Sequence, residues 1–560
     1  MAHGSRAETT PMPQRGAGPG SGLGAALLIL VVCAVAVGQG LRTTSGLSWP
    51  FDEDLYRDIA QARTMADGAW LADPFYRGES IWYNPLTPAL IAVTSKLGGI
   101  AANEASLRLG PWLGLVAPVG FTLLAASLIG RWGAVAALVM FVFVTPGRLH
   151  PLLCATYSPW PFAAQVAQGP FYLGLAALAA ALTRSRLRWF LLVGALLGLT
   201  FLAHTASALL LGAVASSLLL LGREAGTRAR RAAWLGAALA LAGAVASPFL
   251  WSILGRYHLR VVNPEPGAYV WPGTGLDSLG GILSGALDRP ALIGLVLAGV
   301  IALLAPGGAS ARSPAARRVI GAWAFWGVIL LSYVFAQPAL RNLGLPAPPL
   351  VPAFHFWALL GGLVSLVAGL GALWLGTGLA SLLTPRPERR SALAALVTVV
   401  LALGLAVASY PSWRTRADFV ATRRVAEFHS RMDRIRAHEW IRRHTSVDDV
   451  FLAGHDAGLR VVATAGRRLV ALDAGFSSPF VPWPPRAAAA ARMLASLRPG
   501  GHEAFHPLAV EYHVSYVVIQ RSSAEEPFPE APFVGRVFQR GNVAVYRTGC
   551  WPENDAPDGR

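Results

Sequence analysis

Lysine is almost missing from this chain: Lys96 is the only one in 560 residues. Charge of either sign is scarce, at 14% of residues against 54% hydrophobic, where soluble globular proteins carry about 25% charged residues. That shortage excludes a water-soluble fold for most of the chain. Three cysteines, Cys33, Cys154 and Cys550, are too few for a disulfide framework. Cys33 falls within the first apolar run, while Cys154 and Cys550 would both lie outside the membrane, where an oxidising compartment would let them pair. Acids are rarer still along the middle of the chain, since Glu224 is the only one between Glu104 and Glu265.

What the chain has instead is a series of apolar runs. Gly22 to Gly40, Trp234 to Leu254 and Ser391 to Ala408 are each long enough to cross a hydrocarbon core at about 1.5 Å per helical residue. A net charge of +17 would suit nucleic acid, but arginine supplies nearly all of it, a bias of codon usage. The arginines cluster between apolar runs, at Arg184 to Arg188, Arg223 to Arg231, Arg312 to Arg318 and Arg386 to Arg390, which is how the positive-inside rule is written. Topology accounts for the charge with no nucleic-acid partner.

Placing those clusters inside predicts a polytopic α-helical membrane protein of about eleven transmembrane helices, with the N-terminus cytoplasmic and the C-terminus outside. The expected spans are 22–40, 108–130, 132–147, 162–183, 189–203, 206–222, 233–253, 290–306, 319–337, 354–383 and 392–410. Residues 1–21 read as a disordered cytoplasmic tail, and 22–410 as the membrane domain, with a first outside loop at 41–107. Arginines at both ends of Trp189 to Leu221 demand a hairpin with His204 at its outer tip.

Residues 411–560 read as an outside α/β domain. A basic helix over Arg416 to Arg443 leads into strand-like runs at Asp449 to Ala453, Leu459 to Ala463, Arg468 to Asp473 and Tyr516 to Gln520. A helix follows the third run at Arg486 to Leu497, and a terminal hairpin over Val537 to Arg547 turns at Gly541-Asn542.

The first outside loop holds eight acids, three of them consecutive: Asp52, Glu53 and Asp54. Any water-facing loop carries acids, and an Asp here suits a helix N-cap. Three adjacent carboxylates also repel one another, which calls for a cation, a basic partner or a catalytic role. The stretch from Phe51 to Gly99, followed by Asn103 to Gly114, resembles the first periplasmic loop of the GT-C glycosyltransferases, the superfamily of the lipid A aminoarabinose and protein O-mannosyl transferases. The features that carry the resemblance are Asp52-Glu53 after the first span, Tyr56, Gly68-Ala69-Trp70, Trp82-Tyr83-Asn84-Pro85-Leu86 and Arg108 opening the second span. Together they cover about one hundred residues; Asn84-Pro85 departs from the Lys-Pro-Pro of many relatives.

The resemblance implies an inverting transferase that moves a sugar from a polyprenyl-phosphate carrier to a hydroxyl of a glycan, lipid or protein acceptor at the periplasmic face of the inner membrane. It makes Asp52 the general base, with Glu53 its partner or an acceptor ligand, and Asp54, Tyr56 and Tyr83 substrate contacts. Cations to meet the departing phosphate would come from Arg57, Arg63, Arg108, His204, Arg256, His258, Arg341 and His355. His204 equally suits a hydrogen-bonded interhelical residue, and His355 an interfacial one. No cofactor is required by the sequence. Asp52 and Asp54 could hold Mg²⁺ or Mn²⁺, and Asp277 and Asp288 could approach from a later loop.

Tyr257, Tyr269 and Trp271 suit a sugar or an interfacial belt. In the outer domain His455, Asp456, His502 and His506 read as isolated polar residues. A transporter or flippase would also need many spans, but would place ionisable groups near the midplane and show internal repeats. A scaffold displaying the outer domain would leave the loop acids merely solvated.

Overall fold

The computed structural model describes residues 20–147, 154–221, 227–268, 289–305, 314–345, 353–523 and 526–549. Tyr269, Trp271, Asp277, Asp288 and Cys550 lie outside the described residues, and with them any Cys154–Cys550 bridge.

Leucine and alanine, both strong helix formers, fill the apolar runs, and the runs are helical. In order they are α1 (Gly20–Thr44), α2 (Glu53–Ala66), α3 (Leu86–Gly98), α4 (Ala102–Leu113), α5 (Val116–Val139), α6 (Ala163–Arg184), α7 (Leu187–Ala203), α8 (Thr205–Leu221), α9 (Arg228–Leu250), α10 (Pro290–Leu304), α11 (Pro314–Asn342), α12 (Ala353–Leu383) and α13 (Pro387–His444). Seven helical segments among the described residues are long and apolar enough to cross a membrane. Leu27, Leu30 and Val31 of α1 are 52%, 64% and 56% exposed. Such uncovered apolar faces belong in lipid, and the chain is a multi-pass membrane protein.

Seven differs from the expected count of about eleven for two reasons. The expected spans 189–203, 206–222 and 290–306 are the shorter apolar helices α7, α8 and α10. The spans 108–130 and 132–147 lie in one long segment, Ala102–Val144, broken at Gly130 (φ 83, ψ 169). The residues just past the break approach the start of α1, since an Arg131 nitrogen and the Trp132 ring face Gly22 and Gly24. At the far end, the Tyr157 hydroxyl lies against Gly40 and donates to the Pro111 carbonyl at 3.0 Å. The chain therefore runs along α1 to its start, folds at Gly130 and runs back toward the end of α1.

Between α7 and α8, His204 is extended (φ −163, ψ 130). The Asn84 side-chain amide donates to the Phe201 carbonyl at 2.6 Å, which places the His204 junction at the same end of the bundle as the first loop.

The last apolar helix does not stop at the membrane. α13 runs unbroken through Pro411 to His444, so the expected separate helix at 416–443 is its continuation. Beyond it, β1 (Val450–Ala453), β2 (Arg468–Leu469), β3 (Val514–Gln520), β4 (Val534–Arg540) and β5 (Val543–Thr548) form one sheet in the order β2-β1-β3-β5-β4. The β2-β1-β3 half is parallel; β5 runs antiparallel to both β3 and β4. The hairpin turns at Gly541-Asn542 as expected, and α14 (Trp483–Ala495) and α15 (His502–Glu511) flank the sheet.

The expected strand at Leu459 to Ala463 is instead helical, as Gly458–Val462 and Ala463–Ala465, and the run expected at 468–473 pairs only through Arg468 and Leu469. A five-residue apolar run cannot tell a buried strand from a buried helical turn by periodicity alone. Here burial against α2 decides: Leu459, Val461, Val462 and Ala463 share one core with Tyr56, Ile59, Ala60, Ala62 and Met65. The first loop and the outer domain thus have a common interior, stitched by Leu469 N–H to the Phe75 carbonyl at 2.7 Å and by Tyr76 to Ser477 at 2.6 Å.

Gly130 occupies a backbone region almost closed to other residues, at a cost of about 1–3 kcal/mol each. Gly130→Val is expected to lower the melting temperature of the detergent-solubilised protein by several degrees. Gly236→Ala in α9, where an added methyl meets open space, is expected to leave it unchanged or raise it; differential scanning fluorimetry checks both.

Candidate active site

The three acids are resolved by giving each a different partner. Asp52 is the N-cap of α2, its Oδ1 accepting the Asp54 N–H at 3.0 Å. Glu53 faces the outer domain, where Arg460 donates to its Oε1 at 3.1 Å and the His455 ring stands 3.8 Å away, a charge contact and not a hydrogen bond. Asp54 accepts from Arg57 at 2.7 Å. Asp52 alone of the three makes no ion pair among the described residues.

Their electrostatics diverge accordingly. Burial first, then the neighbouring Asp54 charge, pushes the Asp52 carboxyl up to about 7. His455 and, after it, Arg460 draw Glu53 down to about 2 against the opposing effect of burial. Glu53 in turn raises His455.

Arg57 is the hub. Its guanidinium is buried, with Nε on Asp58 at 3.1 Å, and lies 3.6 Å from the Tyr83 ring centroid, a cation–π contact. Asp58, 1% exposed, has a second oxygen with no hydrogen-bond partner, and burial pushes its carboxyl up to about 6. Arg57, Asp58, Gln61, Trp82, Tyr83 and Asn84 line a narrow pocket. Past Asn84, the His204 and His355 rings lie 4.2 Å apart. The result is a run of polar groups from Asp52 through Arg57 to the histidine pair, at one end of the helix bundle.

Other expected residues lie elsewhere. Tyr56 is buried, its hydroxyl on the Pro50 carbonyl at 3.0 Å and its ring stacked on Trp49. Arg63 pairs with Asp67 at 3.0 Å and packs against Gly466 of the outer domain. Arg108 is exposed and pairs with Glu104 one turn back, because the buried face of α4 belongs to Leu107 and its neighbours. Arg256 donates to the Gly78 carbonyl; His258 is exposed beside it, and Arg341 is exposed near the end of α11. His455 and Asp456 are not isolated, and with Arg460 they are the site residues that the sequence reading missed. An i,i+4 Asp-Arg pair on a helical turn was the available signal, hidden by reading the segment as a strand.

Of the two carboxylates expected to hold Mg²⁺ or Mn²⁺, Asp54 accepts from Arg57 through one oxygen and Asp52 accepts the Asp54 N–H. No group of three His, Cys, Asp or Glu is set to hold a metal among the described residues.

A carboxyl raised on folding contributes stability below its ordinary pKa, and that contribution is lost as pH rises through the folded value. For Asp52 this window runs from the usual 3.8 to about 7. Asp52→Asn, which keeps an N-cap side chain, is therefore expected to raise the melting temperature at pH 8 and to change it little at pH 4, measured by thermal unfolding across that range.

No protein-family model matches the chain, and no curated protein matches it by sequence. Solved structures do. ArnT from Cupriavidus metallidurans superimposes in its apo state with a TM-score of 0.54 at 16% identity, covering 94% of this chain and 98% of that one. Its complex with undecaprenyl phosphate gives 0.51 at 16%, over 95% and 98%. The arabinofuranosyltransferase AftD from Mycobacteria gives 0.51 at 16%, over 93% of this chain but 40% of that one. Helices and sheet, taken with these superpositions, identify a multi-pass membrane protein that shares its fold with ArnT and AftD.

Proposed function

We propose that the chain is a glycosyltransferase that moves a sugar from a polyprenyl-phosphate carrier to an acceptor hydroxyl, with inversion, at the outer face of the plasma membrane. In this reading the first loop (41–107) and the domain beyond the last span (411–560) are extracytoplasmic, and the N-terminus is cytoplasmic. The observation that carries the reading is the Asp52 carboxyl, which makes no ion pair among the described residues and is raised to about 7, near the buried Arg57. ArnT, which shares the fold, is seen with undecaprenyl phosphate bound.

Asp52 takes the acceptor hydroxyl's proton as the oxygen forms its bond to the anomeric carbon. The bond from that carbon to the phosphate oxygen breaks, and the polyprenyl phosphate leaves with the electron pair. A base whose pKa lies near the working pH is well matched to this task. The charge growing on the phosphate is met by Arg57 and by donors from His204 and His355, while Asp54 and Asp58 keep Arg57 in place. Tyr83 and Asn84 wall the donor side. The acceptor is a glycan, lipid or protein hydroxyl. The polar groups gather at helix ends on one side of the bundle, as an interfacial enzyme requires, in contrast to the midplane sites of transporters.

In purified protein supplied with polyprenyl-phosphate sugars and envelope acceptors, Asp52→Asn is expected to cut transfer by about 10²–10⁴-fold, while Arg108→Ala retains it. Transfer by the unaltered protein is expected to rise with pH through about 7, as Asp52 ionises. Chromatography of the radiolabelled product measures both, and an Asp52→Asn protein with full activity would sink the reading.

A further inference from the structure

Of the three consecutive carboxylates, Glu53 is the one whose partner comes from a remote part of the chain. Arg460 lies 407 residues away in sequence, yet its Nη2 stands 3.1 Å from Glu53 Oε1. Its Nε stands 3.2 Å from Asp456 Oδ1, as an ion pair and not an aligned hydrogen bond. Asp456 Oδ2 in turn takes Arg434 of α13 at 2.5 Å, and Arg434 Nε donates to Gln520 of β3 at 3.1 Å. A continuous polar chain therefore runs from α13, which also holds Gln520 of β3, through the helical turns that carry Asp456 and Arg460 to the start of α2. The two arginines are mostly withdrawn from water, at 20% for Arg460 and 17% for Arg434, while their acid partners Glu53 and Asp456 are 37% and 43% exposed, so solvent screens the pairs in part. Beneath it lies the apolar seam, where Leu459, Val461 and Val462 pack with Tyr56, Ile59 and Ala60. The helical form of this segment places Arg460 one turn from Asp456 and turns it toward Glu53.

We infer that Arg460, supported by His455, is a positioning residue for the proposed transfer: by holding Glu53 against the outer domain, it keeps that carboxylate from repelling Asp52 and sets the start of α2 at the angle the reaction needs. The inference rests on the glycosyltransferase reading. It makes the outer domain a working part of the active site and not a cover over it. Glu53 is the group Arg460 acts through. Without Arg460, Glu53 keeps only the longer His455 contact and can turn toward Asp52 and Asp54, two like charges on the same half-turn.

A double-substitution cycle on the full-length protein, reconstituted in lipid nanodiscs with a polyprenyl-phosphate sugar and its acceptor, tests this. Arg460→Ala is expected to lower kcat tenfold or more, with the donor KM within twofold. Arg460→Lys, which keeps the charge, is expected to hold kcat within about threefold, and it serves as the test if the alanine variant does not fold. Adding Glu53→Gln to Arg460→Ala is expected to bring activity back to that of Glu53→Gln alone, because the stray charge is gone; a purely structural role for Arg460 gives no such recovery. Losses that simply multiply, an Arg460→Ala enzyme of full activity, or an Arg460→Lys protein as damaged as the alanine one would overturn the inference while leaving the glycosyltransferase reading intact. An unaltered protein that transfers no sugar would overturn that reading, and this inference with it.

Discussion

Three carboxylates in a row at the start of one helix are the constraint around which this structure is arranged. Two unit charges 4 Å apart interact by about 4 kcal/mol at an effective dielectric of 20, whereas the helix N-terminus returns only about 0.3–1 kcal/mol to a nearby anion. Capping alone cannot hold Asp52, Glu53 and Asp54 together. Arg57 takes Asp54 and Arg460 takes Glu53, which leaves Asp52 as the acid of the three whose carboxyl is pushed up, by burial and by the Asp54 charge.

That division needs α2 to be fixed on both flanks. On the membrane side, Phe51 packs on Trp160, and Leu55 lies in a small core with Leu107 and Phe162. On the outer side, Ile59, Ala60 and Met65 enter the core they share with the sheet domain. A rigid helix carries Arg57 inward to Tyr83 and the histidine pair, and Glu53 outward to the domain. One turn of helix thus joins a lipid-facing bundle to a water-facing sheet.

Much of the bundle was legible because the physics of lipid is severe: apolar length and arginine placement located the spans, and the Arg-rich ends of 189–221 required a turn at His204. The hairpin at Gly541-Asn542 was legible for a similarly local reason. Count and partnership were harder. Whether the stretch from Ala102 to Val144 crosses once or twice depends on the backbone of Gly130. The helical state of Gly458 to Ala465 depends on α2, nearly four hundred residues earlier.

At the site, Asp52, Arg57, His204 and His355 were visible as unusual residues at helix ends, and the fold gathers them. Arg108 and Arg341 had the same signature but are exposed, because which face of a helix is buried is decided by neighbours that the local sequence does not name. Asn84 ties the loop to the His204 turn at Phe201 and Thr205. The Asp456-Arg460 spacing was a local signal, but the partner that brings Arg460 and His455 to the site, Glu53, lies some four hundred residues earlier.

The central claim is that Asp52 faces the polyprenyl-phosphate site with Arg57 and the histidine pair around it. A cryo-EM structure of the full-length protein with undecaprenyl phosphate bound tests it most directly. The account predicts a phosphate within hydrogen-bond reach of Arg57, His204 or His355, with the Asp52 carboxylate turned toward it across a gap the size of one sugar. A phosphate seated on the opposite end of the bundle, or on an outer face remote from Asp52, would contradict it.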